Sequence, residues 1–131
     1  MKIQTFFEKA GKGACLALCY IRASLGEKAT PNVMFDVLWK ASEKGILVAE
    51  DDFFVKDAVA LGQLASGKKF SVTKQKISSI EELEGKLAAV NFQNGKFNHW
   101  VLVENGQIVF DSLEDSQCVK YGKPVDARVI G

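Results

Sequence analysis

Apolar residues follow two different patterns along the chain, one in each half. Residues 14–21 are apolar at almost every position, which is typical of a helix that is buried on all sides. Gly26 is expected to end this helix. A second helix is predicted to begin at Thr30, the N-cap residue, with Pro31 as its first helical residue.

Two further features extend the helical prediction. Apolar residues three and four positions apart form one stripe on the second helix, and Gly45 is expected to end it. A third, weaker helix is predicted over residues 56–65, where Gly62 lowers the helix propensity. The residues of the stripe are Met34, Val37, Leu38 and Ala41.

The second half of the chain has the composition and alternation of β-strands. A strand is predicted over residues 70–77, and Ser79 with Glu82 forms a capping box that begins a short helix. The dipeptides Asn94-Gly95 and Asn105-Gly106 separate apolar runs, a strong signal for hairpins. The remaining strands are predicted at residues 87–92, 97–103, 107–111 and 125–130.

Helices followed by an antiparallel meander predict an α+β fold. We expect one domain over residues 1–131, with the N-terminal helix packed across the sheet, because a helix that is apolar all round needs cover on several sides. At 131 residues the chain is long enough to bury a core of its own.

Composition and charge exclude several classes of function. A net charge of +1 offers no electrostatic basis for binding nucleic acid or an anionic membrane. No apolar run reaches the roughly 20 residues of a membrane-spanning helix, and no signal peptide is recognised. Three cysteines, an odd number, argue against a disulfide framework and favour a cytoplasmic location. A single histidine and no Cys-x-x-Cys pair argue against a structural zinc site. No metal or other cofactor is expected.

Three residues in the order Cys, His, Asp are the candidates for catalysis. Cys15 stands at the start of the first apolar helix, where the helix N-terminus stabilises a thiolate. His99, the only histidine, lies in a predicted strand, and a hairpin leads from it to Asp111. This order and these residue types are those of a cysteine nucleophile with a histidine base and an orienting carboxylate. The other interpretation of Cys15 is a small buried hydrophobe.

The turn at Asn105-Gly106 decides whether His99 and Asp111 meet. A two-residue turn pairs His99 with Ser112 and leaves Asp111 on the opposite face of the sheet, beside Trp100. A three-residue turn with Gly106 at positive φ pairs His99 with Asp111, and leaves an apolar face of Trp100, Leu102, Ile108 and Phe110. We expect the three-residue turn. Of the other cysteines, Cys19 is expected in the core and Cys118 in a polar loop.

Several segments together resemble a known family. They are Ala14-Cys15-Leu16-Ala17-Leu18, His99-Trp100-Val101-Leu102-Val103 and Val109-Phe110-Asp111-Ser112. They are similar to papain-like peptidases of the bacteriocin-processing, double-glycine type. The tail at residues 116–123 resembles a small papain-like family of spirochaete and phage genomes. The resemblance spans nearly the whole chain and implies a papain-like fold, a phage or prophage origin and Gln4 as a residue assisting the oxyanion.

A second alignment to the same family leaves the nucleophile in question. Such peptidases often carry Asp-Cys-Gly before the apolar part of the helix, which would place the nucleophile near Ala10, Gly11 or Lys12. None of these is a cysteine. The family's oxyanion glutamine precedes its nucleophile at a spacing closer to that between Gln4 and Ala10 than to that between Gln4 and Cys15.

Three functions are therefore kept. The first is a cysteine peptidase or amidase that cleaves a peptide or protein substrate, with Cys15 as nucleophile, His99 as base, Asp111 orienting His99 and Gln4 assisting the oxyanion. The second is a catalytically inactive papain-like module that binds peptides or proteins. The third is a structural domain. The distance between the Cys15 sulfur and the His99 ring discriminates among them.

Overall fold

The computed structural model describes residues 6, 8–10, 13–49, 53–113 and 116–131. The chain divides after Phe70 into two compact units. The first is mainly helical with one small hairpin, and the second is built on an antiparallel sheet. The predicted α+β class is confirmed. The packing of the N-terminal helix across the sheet stays a prediction, as does a single papain-like domain.

The first unit follows the helix signals of the sequence closely. Helix α1 contains five consecutive buried residues from Ala17 to Ile21, as its apolar sequence predicts, and it ends at Gly26 with positive φ. The Thr30 side chain caps helix α2 by accepting a hydrogen bond from the Val33 N–H. The elements are α1 Cys15–Leu25, a 3₁₀ turn Gly26–Lys28, α2 Pro31–Glu43, β1 Leu47–Ala49, β2 Phe53–Val55 and α3 Ala58–Ser66.

Aromatic packing and one hydroxyl organise the core of this unit. The Phe6 ring meets the rings of Trp39 and Phe53 edge-on, with centroids 5.0 Å and 5.3 Å away. The Ser24 hydroxyl donates to the Gly62 carbonyl oxygen over 2.8 Å and so ties α1 to α3. The hairpin of β1 and β2 was not predicted, because strands of three residues are too short to show an alternating pattern.

The second unit is a five-stranded antiparallel sheet in the order β3-β7-β4-β5-β6. The last strand therefore lies between β3 and β4, so the predicted meander holds only for β4, β5 and β6. The capping box at Ser79 and Glu82 is present, and it begins one 3₁₀ turn. The elements are β3 Val72–Lys76, a 3₁₀ turn Ile80–Leu83, β4 Leu87–Asn94, β5 Phe97–Glu104, β6 Gln107–Phe110, α4 Gln117–Tyr121 and β7 Lys123–Ile130.

One face of this sheet carries a hydrophobic cluster that includes Cys118. The expectation that Cys118 lies in a polar loop is wrong, because residues 117–121 form α4 and place Cys118 in the cluster with 8% exposure. Helix α4 has five residues, of which only Cys118, Val119 and Tyr121 are apolar, too few to show a helical stripe. The buried members of the cluster are Ile77, Leu83, Ala88, Val90, Phe92, Val101, Val103, Cys118 and Ala127.

Candidate functional site

His99 lies on the cluster face of the sheet, near the start of β5. It is the third residue of the strand and pairs with Phe92 of β4. Strand alternation places His99 on the same face as Val101 and Val103, which belong to the hydrophobic cluster. Only 3% of His99 is exposed. A buried imidazole needs hydrogen-bond partners to offset the loss of water.

Asp111 supplies one such partner. His99 Nε2 lies 2.6 Å from Asp111 Oδ1, a short distance that is typical of a charge-assisted hydrogen bond. The Leu113 N–H also donates to Asp111 Oδ1, over 2.9 Å, which is the local pattern of an Asx turn. This role of Leu113 was not predicted, although an aspartate followed by serine at a strand end is a signal for such a turn. Both contacts are to the same oxygen, Oδ1, and 24% of the Asp111 side chain is exposed.

The predicted three-residue turn is wrong. Glu104 pairs with Gln107, so Asn105 and Gly106 alone form the turn. Both have positive φ, 53° and 78°, as in the type I′ turn that suits a two-residue hairpin. The positive φ expected for Gly106 is confirmed. Asparagine at the first position tolerates the left-handed region, which makes the shorter turn accessible.

A β-bulge at Val109 brings His99 and Asp111 together despite the shorter turn. Val103 pairs with Ile108, but Leu102 pairs with Phe110, so Val109 is an extra residue in β6. Each residue of a strand points to the face opposite its neighbour's. The extra residue reverses that alternation after Ile108 and directs Asp111 to the face of His99 rather than to that of Trp100. Side chains diagonal to one another on the same face remain within reach.

The opposite face of the sheet differs from the prediction at one position. Trp100, Leu102 and Phe110 share it, as expected, but Ile108 lies on the cluster side because it precedes the bulge.

The Arg128 guanidinium lies over the Trp100 ring, 4.9 Å from its centroid, a cation–π geometry. Asn91 is 93% buried, and its Oδ1 has no hydrogen-bond partner among the described residues.

Cys15 occupies the predicted position at the start of α1. It is the first helical residue and is partly exposed, whereas Cys19, one turn later, is fully buried. The N-cap residue is Ala14, which has no side chain that caps the helix. Cys15 thus stands in the first turn of α1, the part of a helix where the macrodipole favours negative charge.

The structure describes only one of the remaining candidate residues. Gln4 lies outside the described residues, as do Gly11 and Lys12 of the second alignment. Ala10, the third candidate position, is helical and buried. The contact between Cys15 and His99 stays a prediction.

The geometry of the pair assigns roles to the two imidazole nitrogens. When Nε2–H donates to the Asp111 carboxylate, the neutral ring carries its lone pair on Nδ1. Among the residues that the structure describes, no group of three His, Cys, Asp or Glu side chains is arranged to hold a metal ion. Within those same residues, no helix has both the length and the apolar character to cross a bilayer.

Comparison with known proteins adds no family assignment. No family model, no curated protein and no solved structure matches the chain. The functional argument therefore depends on the residues themselves, and the papain-like resemblance stays a prediction.

Proposed function

We propose that this protein is a papain-like cysteine peptidase or amidase that hydrolyses peptide-like bonds. The observation that carries the proposal is the 2.6 Å contact between His99 Nε2 and Asp111 Oδ1. A buried histidine oriented by a carboxylate, together with a cysteine at a helix N-terminus, comprises the groups that thiol-dependent acyl transfer requires. Cys15 is the nucleophile in this proposal, His99 the base and Asp111 the orienting residue.

Asp111 fixes the ring of His99 for proton transfer. Its Oδ1 accepts from Nε2, and the Leu113 N–H prevents the carboxylate from turning away. The imidazole is thereby kept in one tautomer and one orientation. The carboxylate also stabilises the imidazolium that forms when His99 takes the proton of Cys15.

The reaction then follows the usual two halves of acyl transfer. The Cys15 thiolate attacks the carbonyl carbon, and the imidazolium of His99 protonates the leaving amine as the C–N bond breaks. Water, deprotonated by His99, attacks the resulting thioester, and the departing thiolate regenerates Cys15. The oxyanion of each tetrahedral intermediate is stabilised by backbone N–H groups at the N-terminus of α1, with Gln4 assisting.

Thiol alkylation tests this proposal directly. In a Cys19→Ala/Cys118→Ala background, Cys15 is the only cysteine, so the rate of reaction with iodoacetamide reports on Cys15 alone. We expect folded protein to react at neutral pH faster than the same protein in denaturant, because His99 and the helix N-terminus favour the thiolate. Replacing His99 by Gln should bring the folded rate to that of the denatured chain or below it.

A control variant shows whether a substitution elsewhere in the chain also changes the alkylation rate of Cys15. Lys40→Gln disrupts an exposed ion pair with Asp36 on α2, and it should leave the alkylation rate unchanged. Equal rates in the His99→Gln variant and its parent would refute the proposal, because His99 would then not act on the thiol. Circular dichroism confirms that each variant is folded before its rate is compared.

One observation favours a second candidate, a catalytically inactive papain-like module that binds peptides. In the second family alignment the nucleophile position falls near Ala10, and Ala10 is buried in a helical segment. An alanine there provides no nucleophile. Slow alkylation of Cys15 that does not depend on His99 would favour this candidate over the enzyme.

A further inference from the structure

The two edges of the five-stranded sheet differ in charge. Strand β3 forms one edge and exposes Lys74 and Lys76, which is a common protection against pairing with another strand. Strand β6 forms the other edge, and its sequence, Gln-Ile-Val-Phe, contains no charge. Ile108 and Val109 of β6 are 39% and 45% exposed. Among the described residues, no strand pairs with the outer side of β6, and the strand carries no charged side chain.

Hairpin geometry indicates which backbone groups this edge offers. In the two-residue turn, the Gln107 N–H faces the Glu104 carbonyl oxygen. Successive residues of an antiparallel strand alternate between facing the partner and facing away. Ile108 therefore directs its N–H and C=O to the outer edge, where among the described residues no strand pairs with β6.

The β6 edge also continues into the candidate site. Asp111 is the residue that follows β6, so a chain paired with β6 at about 3.4 Å per residue passes Asp111 within a few residues. Beyond Asp111, Leu113 is 45% exposed and offers an apolar contact to such a chain. An open edge that leads to a His–Asp pair suits an extended peptide better than a folded surface.

We propose that the β6 edge binds an uncharged, extended peptide by strand addition. Backbone hydrogen bonds to Ile108 provide part of the affinity, and the exposed side chains of Ile108 and Val109 favour β-branched residues in the peptide. The choice of a peptide rather than a second copy of the chain rests on the proposed function. The binding itself needs no chemistry at Cys15.

Amide NMR of the full chain tests this proposal, with Cys15→Ala to prevent hydrolysis. The probe is an acetylated, amidated pentapeptide of alternating threonine and valine. We expect saturable shift changes at the amides of residues 107–110 and none at residues 72–76 of the lysine-protected edge. The same peptide with every backbone amide N-methylated has no N–H left to donate to a strand edge, so its shift changes should be absent. Both peptides are titrated into the same Cys15→Ala protein, so the comparison does not depend on the folding of a second variant.

Two matched variants sharpen the result. Val109→Lys places a charge on the β6 edge and should abolish the shift changes, whereas Thr73→Lys on β3 should leave them intact. Shift changes on β3, or equal binding of the N-methylated peptide, would overturn the proposal. Shifts at residues 107–110 that depend on protein concentration without peptide would overturn it in favour of self-association. A failed alkylation test with intact peptide binding would reject the enzyme and leave this inference standing.

Discussion

His99 and Asp111 lie 2.6 Å apart through Nε2 and Oδ1, although they are not opposite one another in the hairpin. Because Leu102 pairs with Phe110, the next residue, Asp111, lies opposite Val101 on the neighbouring strand. Asp111 is therefore diagonal to His99. The two side chains meet because the Val109 bulge turns Asp111 to the cluster face. With four residues between the turn and Asp111, His99 and Asp111 share a face only because one of the four, Val109, has no partner on β5.

Replacing Asp111 by alanine should destabilise the protein. A fully exposed carboxylate contributes little to folding, but Asp111 is the hydrogen-bond acceptor for an imidazole that is 3% exposed. Losing an acceptor for a buried donor costs about 1–3 kcal/mol. Urea denaturation measures the loss, and Asp111→Asn is the control because its amide oxygen still accepts. Equal losses of unfolding free energy in the two variants would show that the hydrogen bond accepted by Asp111 does not stabilise the protein.

Deleting Val109 should leave the contact between His99 and Asp111 in place. Val109 is the residue without a partner, so its removal makes β6 regular while Phe110 still pairs with Leu102. Asp111 then remains on the face of His99. His99 is the only histidine, so its ring ¹⁵N signals report the contact without ambiguity. Signals that move to those of Asp111→Ala would contradict the bulge explanation.

The turn at Asn105-Gly106 should be sensitive to a side chain at Gly106. Gly106 has φ of 78°, where a residue with a Cβ costs about 1–2 kcal/mol. Gly106→Ala should therefore lower the free energy of unfolding by about this amount. Asn105→Gly, at φ of 53°, is the matched control and should cost little. A stable Gly106→Ala variant would indicate that the turn changes type readily.

Gly62→Ala should destabilise α3, against the usual helix preference. Alanine is normally favoured over glycine within a helix by about 0.5–1 kcal/mol. A Cβ at Gly62 would overlap the Phe70 ring, and overpacking of this kind costs about 1–3 kcal/mol. Thermal unfolding should show a net loss. The loss should shrink in a Phe70→Leu background; additive effects of the two changes would contradict the predicted overlap.

The sequence predicted the elements that depend on local interactions. The apolar run of α1, the Thr30-Pro31 start of α2 and the capping box at Ser79 each concern residues within a few positions of one another. The hairpins at Gly95 and Gly106 were predicted for the same reason, because turn residues restrict φ directly. These features follow from backbone conformation and nearest neighbours.

Elements stabilised mainly by distant contacts were missed or misassigned. Helix α4 has only five residues and is held by packing on the sheet, so its sequence alone resembles a loop. The place of β7 between β3 and β4 depends on pairing across a long separation in the chain. By helix propensity alone, Gly62 weakens α3. The structure shows that the Phe70 ring occupies the space that a Cβ at this position would need.

The sequence by itself determined the residue types of the candidate site: one histidine in a strand, an aspartate at the end of the next strand and a cysteine at a helix start. Only the tertiary structure decided how His99 and Asp111 meet. A strand reverses its faces with every residue, so one extra residue decides the face. Because no local pattern marks Val109 as that residue, the bulge becomes visible only when β6 is paired with β5.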